Sequence, residues 1–328
     1  MIREHRLILD SIKKLNLNLS GKIVLTEVGS QNYLFSPIIP ALAGAEKVYA
    51  WTRNSIYGNA NQIIKDSAQF AKEFHVESKI SFFDGALNSE HIKVADIITN
   101  SGFLRPINNR ILQYTKKDVV IPLMFEEWEL RPEDIDIDLC TKMGIKVAGT
   151  WENHPLLKVF SSVGALSVKL LLESGLEVYQ NNILIWSEDE FGIESEKALQ
   201  NFGAANVYRS TDMVMFNDLL PSLDAVFICN YDEKRVYFND NELFNAKDIF
   251  EVNPSLKVIH LFGKIDVASL NEFNISYYPR EEGRSMIMTR TLGHLGPKPL
   301  IDLQVASLKV AQYLLEAKSS DLIQPINY

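Results

Sequence analysis

Cysteine is nearly absent from this sequence, with two in 328 residues, Cys140 and Cys229. That excludes a disulfide framework and a cysteine metal knuckle or redox pair, and it leaves two buried thiols expected in a reducing compartment. No long uninterrupted apolar run is present either. The N-terminal M-I-R-E-H-R-L-I-L-D-S-I is broken by charge, which rules out a membrane span or signal peptide there, and the expected location is the cytoplasm. Positive charge is in deficit, 33 Lys and Arg against 42 Asp and Glu, for a net charge of -9. This argues against a nucleic-acid or anionic-membrane surface and leaves a small molecule as the expected ligand. Metal-ligand spacings such as H-E-x-x-H are missing, so no metal is assigned.

What is present is an ordinary globular composition, 46% hydrophobic and 23% charged, with length enough for two domains. Short apolar strands at 22–28, 47–52, 80–84, 95–100 and 119–125 alternate with helical spacing at 33–45, 59–73 and 108–115. A second alternation opens with a strand at 146–150 and a long apolar helix at 156–175. It continues with strands at 183–186, 205–208, 224–229 and 257–262, and a helix at 192–202. A last helix is expected over 300–315. Strand and helix in turn imply an α/β protein of two doubly wound parallel-sheet domains, with ligands at the carboxyl ends of the strands.

Three stretches then carry a resemblance. D-I-D-I-D-L-C-T-K-M-G-I-K-V-A-G-T-W-E-N-H-P (134–155), the helix V-G-A-L-S-V-K-L-L-L-E (163–173) and T-L-G-H-L-G-P (291–297) follow one another as in the D-2-hydroxyacid dehydrogenases, which the chain resembles over about 95–315. The resemblance implies a flavodoxin-like substrate domain from 1–125 and 298–328, including a returning C-terminal helix, and a Rossmann-like domain from 146–297. It places the active site in the cleft between them and implies a homodimer formed through the region of the long helix. The activity implied is NAD(P)-dependent oxidation or reduction of a small hydroxy or oxo acid. The alternative is a non-redox enzyme or ligand-binding protein of the same fold that uses the cleft for another metabolite.

Under the resemblance His294 falls on the family's acid–base histidine, a group that titrates near neutral pH. Hydrogen bonding of the loop before the last helix accounts for it equally well. The family's arginine is replaced by Phe262 when Gly263 is matched, leaving Lys264 as the nearest cation, able to hold a carboxylate as a point charge. Glu281 or Glu282 stands where a glutamate would orient the histidine.

In I-L-I-W-S-E-D-E-F-G-I-E-S (183–195), Gly192 matches the third glycine of the family's dinucleotide fingerprint, while Ser187 and Asp189 replace the first and second. A carboxylate there repels a diphosphate; in a simpler reading, Ser187 or Asp189 caps the helix. Arg209 or Ser210, after the next strand, would suit a 2′-phosphate and so NADP rather than NAD, with Asn230 completing the cofactor set.

In the first domain, polar residues collect where three strands end: T-E-V-G-S-Q-N-Y (26–33), T-R-N-S-I-Y-G (52–58) and T-N-S-G-F-L-R-P (99–106). Arg53, Asn54, Ser101 and Gly102 are the expected substrate contacts, though Ser, Asn and Gly are also ordinary turn residues. The linker segment 122–134 carries Glu126, Glu127, Trp128 and Glu129, and Trp128, Trp151, Glu152, Asn153 and His154 are the expected cleft lining.

Overall fold

The computed structural model describes residues 2–239 and 243–326. Over them the chain is α/β with two parallel sheets, as its alternating pattern implies. It divides into two compact units, Met1–Val159 with Gly296–Tyr328, and Phe160–Leu295.

In the first unit β1 (Ile23–Glu27), β2 (Lys47–Trp51), β3 (Ile80–Phe83), β4 (Ile97–Ile98), β5 (Val120–Pro122) and β6 (Lys146–Thr150) run parallel in the order 3-2-1-4-5-6. A last strand, Ile323–Pro325, adds to β6 in the antiparallel sense. In the second unit β7 (Asn182–Trp186), β8 (Asn206–Arg209), β9 (Ala225–Ile228), β10 (Lys257–His260) and β11 (Ser276–Tyr278) form a parallel sheet. Counted within the unit, the order is 2-1-3-4-5. The dinucleotide-type order thus belongs to the first unit and the flavodoxin-type order to the second, the reverse of what the resemblance implies. Strands buried on both faces read as continuous apolar runs, which is why I-L-I-W and A-V-F-I are legible in the sequence.

Several elements depart from expectation for local reasons. The strand at 146–150 closes the first sheet beside β5 instead of opening the second. The expected helix 33–45 is a 3-10 turn, Gln31–Phe35, and a short helix, Ile38–Leu42, because Pro37 and Pro40 remove amide donors. The helix expected at 156–175 is Ser161–Glu173; Lys158 is left-handed (φ 55°) and the preceding segment is a loop. The last helix is Pro297–Leu315, with Pro297 at its first turn, where a missing amide costs nothing.

Each unit has its own core. In the first, Leu25, Ile98, Ile121 and Val147 pack under one face of the sheet. The Pro297–Leu315 helix is buried along most of its length and carries Asp302, which accepts from Ser11 and pairs with Lys298. In the second, Trp186, Phe216, Tyr237 and Phe244 form an aromatic core. Its helices Ser161–Glu173 and Glu190–Asn201 pack closely at Gly164. A Cβ on Gly164 would lie 2.6 Å from the Glu194 carbonyl oxygen, so only glycine fits.

His260 ends β10 wholly inside this core. Its Nε2 donates to the Pro279 carbonyl at 2.9 Å and its Nδ1 has no partner. Burial pushes its pKa from the ordinary 6.5 down to about 4. At neutral pH the ring is uncharged in both folded and unfolded chains. Between 6.5 and about 4 only the unfolded chain takes up the proton, so stability falls through that window as the pH is lowered. The loss is at most about 3 kcal/mol. Urea midpoints of the full chain at about pH 7 and pH 4.5 measure it, and His260→Gln, which keeps a donor for Pro279 but does not titrate, should flatten the difference.

Candidate functional site

In an open parallel sheet, ligands collect at the carboxyl ends of strands where the order reverses. The second unit reverses between β7 and β9. After β7 the chain turns at Ser187 and enters the Glu190–Asn201 helix with Asp189 as its N-cap. One carboxylate oxygen of Asp189 accepts from Phe191 N at 3.0 Å, from Gly192 N at 3.3 Å and from the Ser187 hydroxyl at 2.7 Å. The other accepts from Tyr231 N, on the loop after β9, at 2.7 Å. A single side chain thus gathers donors from both sides of the reversal, the kind of donors that a phosphate takes at a helix N-terminus. Burial raises the pKa of Asp189, and its four hydrogen bonds pull the other way without cancelling the rise.

Gly192 is where the helix start packs closely on the preceding turn, since a Cβ there would stand 2.6 Å from the Ser187 hydroxyl. Around it the rings of Phe191, Tyr231 and Phe262 pack at 4.6–5.7 Å, with Phe160 at 5.1 Å from Phe191. Phe262 is 1% exposed within this cluster. Arg209 is held by Glu196 at 2.9 Å and Glu188 at 3.7 Å. Glu188 also accepts from Thr211, and Ser210 accepts from Asp212 N. Asn230 follows β9, partly buried.

His294 lies in the same unit, with Nε2 at 2.8 Å from Glu173, the last residue of its helix. Tyr278 donates to the same carboxylate at 2.7 Å, and Lys169 reaches the His294 carbonyl. Burial alone would raise the pKa of Glu173; hydrogen bonds from His294 and Tyr278, with the charges of His294 and Lys169, hold it below the usual range. The carboxylate on His294 is therefore Glu173, not Glu281 or Glu282. Glu281 pairs with Arg290 at 2.8 Å, and Lys264 and Glu282 face each other at 3.8 Å on the surface. No sequence signal points to Glu173, which is 121 residues from His294.

The first unit reverses between β1 and β4. On one face of the sheet the hydroxyls of Thr26, Thr99 and Ser101 form a chain with steps of 2.9 and 2.8 Å. They line a cavity of about 10 Å³ with Ser36 and Gln304, room for one water. On the other face Glu27, buried at the end of β1, accepts from Phe103 N at 2.6 Å. Burial raises its pKa despite that bond and the charges of Arg105 and Arg53. Gly102 starts the short turn beside it. Arg53 is exposed and rests on the Trp51 and Phe103 rings, while Asn54 caps the following helix at Ala60 N. Gly102 and Arg53 thus come together beside Glu27, while Ser101 faces the other side of the sheet; Glu27 is not singled out by the sequence analysis, although an acid ending the apolar run K-I-V-L-T is its signal.

The acidic segment after β5 folds on itself. Glu126 accepts from the Trp128 indole and from Glu152 N. Burial, with Glu129 and Glu126 nearby, keeps the Glu152 carboxyl well above the usual range. His154 meets Asp321 at 3.2 Å. Among the described residues no group of three His, Cys, Asp or Glu is arranged to hold a metal, and no helix is long and apolar enough to cross a membrane.

No family model matches the chain, and no curated protein matches it in sequence. Its fold is similar to that of several solved structures. The A chain of dipicolinate synthase from Bacillus subtilis matches with a TM-score of 0.55 at 10% identity, over 92% of this chain and 99% of that one. The corresponding subunit from Bacillus halodurans gives 0.54 at 10%, over 90% and 99%. The pyruvate reductase of Chlamydomonas reinhardtii gives 0.54 at 11%, over 92% and 98%. At such identities the likeness is one of fold.

Asp189→Ala removes a helix cap and strands several part-buried donors, so a loss of about 2–3 kcal/mol is expected in urea unfolding. Asp189→Asn, which keeps one acceptor but turns an amide toward a donor, should fall between the two. A loss under about 0.5 kcal/mol for the alanine variant would be that of an ordinary surface position.

Proposed function

We propose that this chain is a small-molecule protein with the two-domain dehydrogenase-like fold that has given up dinucleotide redox chemistry in its second unit. The observation that carries this reading is Asp189, whose carboxylate takes the Phe191, Gly192 and Tyr231 N–H groups that a pyrophosphate would need. A diphosphate brought against that carboxylate meets a repulsion of about 1 kcal/mol at 4 Å in water and several times more where water is scarce. Three further features agree with it. Arg209, the cation for a 2′-phosphate, is engaged by Glu196 and Glu188. The aromatic side chains of Phe191, Tyr231 and Phe262 fill the space above the strands, and the family's carboxylate-binding arginine is absent.

One observation favours a second reading, NADP- or NAD-dependent oxidation of a small hydroxy acid. His294 stands against Glu173 at 2.8 Å, and a histidine oriented by a carboxylate is suited to move a proton at a substrate hydroxyl. In that reading His294 is the acid–base group and Tyr278 steadies its partner.

Titration of NADPH and NADH by fluorescence separates the two. No saturable binding is expected for either at about 1 mM, where a site with a Kd of 0.1 mM, about -5.5 kcal/mol, would be nearly full. Micromolar NADPH binding that Arg209→Ala abolishes, with turnover that His294→Gln abolishes, would establish the redox reading instead.

A further inference from the structure

A cavity of about 220 Å³ opens in the helix layer of the second unit, between the helices Met213–Leu219 and Ala246–Val252. Its lining includes none of Ser187, Asp189, Gly192, Arg209, Ser210 and Asn230, so it is separate from the turn after β7. Phe216, Phe244 and Ile249 form its floor and are buried members of the aromatic core. Asn217 and Asp248 line it from exposed positions, one on each helix, and are too short and too polar to close over it.

The floor is aromatic. Phe216 and Phe244 lie 4.4 Å apart between ring centroids, tilted by 53°, and the Trp186 indole packs against both. Such rings take the edge or face of another ring, and their faces attract a cation. The rim, by contrast, is uncommitted. Asp248 belongs to none of the ion pairs among the described residues, and its neighbour Lys247 is paired with Glu251 at 3.8 Å. The side chain of Asn217 has no hydrogen bond among the described residues either.

Size and charge then define the guest. An apolar cavity of roughly 150 Å³ holds benzene, so this one takes a single ring with a substituent of about three atoms. Asp248 is the one charged residue among the described lining residues, on a chain of net charge -9. We propose that this cavity binds a small arylalkyl ammonium ion, its ring against Phe216 and Phe244 and its ammonium group paired with Asp248. An ammonium has three donors and no acceptor, and the Asp248 carboxylate and the Asn217 amide oxygen are acceptors for it. The inference goes beyond the reading above and does not depend on it, because the cavity shares no residue with the turn that Asp189 closes.

Calorimetry on the full chain with phenethylamine tests the site, with 3-phenylpropionate as an anion of like shape and benzyl alcohol as the neutral control. Phenethylamine should bind saturably with a Kd below about 5 mM, and benzyl alcohol about tenfold more weakly, which is about 1.4 kcal/mol. The anion should not bind saturably. Asp248→Asn should weaken phenethylamine about tenfold and leave benzyl alcohol unchanged. Asn217→Trp, at an exposed position, should fill the mouth and abolish binding of both without lowering the thermal midpoint. Absence of phenethylamine binding, or binding that survives Asn217→Trp, overturns the site. Equal affinity for the anion, or indifference to Asp248→Asn, overturns the ligand class. If Asn217→Trp lowers the midpoint, Asp248→Asn decides. NADPH binding, present or absent, bears only on the reading of Asp189.

Discussion

The carboxylate of Asp189 joins the two loops at the reversal point of the second sheet. By accepting from the helix start and from Tyr231 at once, it fixes the turn after β7 against the loop after β9. The surrounding chemistry follows from that bond. A turn that satisfies its own donors needs no phosphate, so Arg209 can be spent on Glu196, and aromatic side chains can close the space above the strands. An anion site and an anion-shaped side chain are alternatives, and the interior resolves which one is present through a single residue type.

The first sheet presents the opposite condition. Its order is the one associated with nucleotide binding, yet its reversal point carries a protonation-prone carboxyl and an unpaired amide instead of a glycine-rich phosphate turn. The polar groups at one reversal point are satisfied, and at the other the Asn100 amide is not. Since fold is shared by many chemistries, this contrast distinguishes the two units in a way that the likeness to dehydrogenase-type folds does not.

Much of the architecture was legible in the sequence because parallel strands are buried on both faces and leave apolar runs such as I-L-I-W and V-L-T. The strand order was not, because pairing of β1 with β4 joins residues some seventy positions apart and leaves no local trace. For the same reason the sequence pattern does not show which half carries which strand order, nor that 146–150 closes the first sheet. Cap chemistry was readable in part: an aspartate three residues before Gly192 is a helix-start signal, but its bond to Tyr231 spans 42 residues. At the candidate sites, Arg53 and Ser101 were marked by their position at strand ends. Glu173 was hidden in a helix end, and Asn100 differs from any turn asparagine only in having nothing to bond.

The first unit is discontinuous, since it includes the segment from Gly296 and the final strand Ile323–Pro325 that lies against β6. A ribosome delivers residues in order, and domains generally fold as units as they emerge. The half of the molecule encoded second is therefore the first whose chain is complete, while β1 to β6 wait for a helix more than 140 residues downstream to cover Thr26, Thr99 and Ser101. Until that helix arrives, the Thr26–Thr99–Ser101 face of the first sheet lacks the element that buries it. The interval makes the nascent chain, more than the finished one, the form most exposed to aggregation.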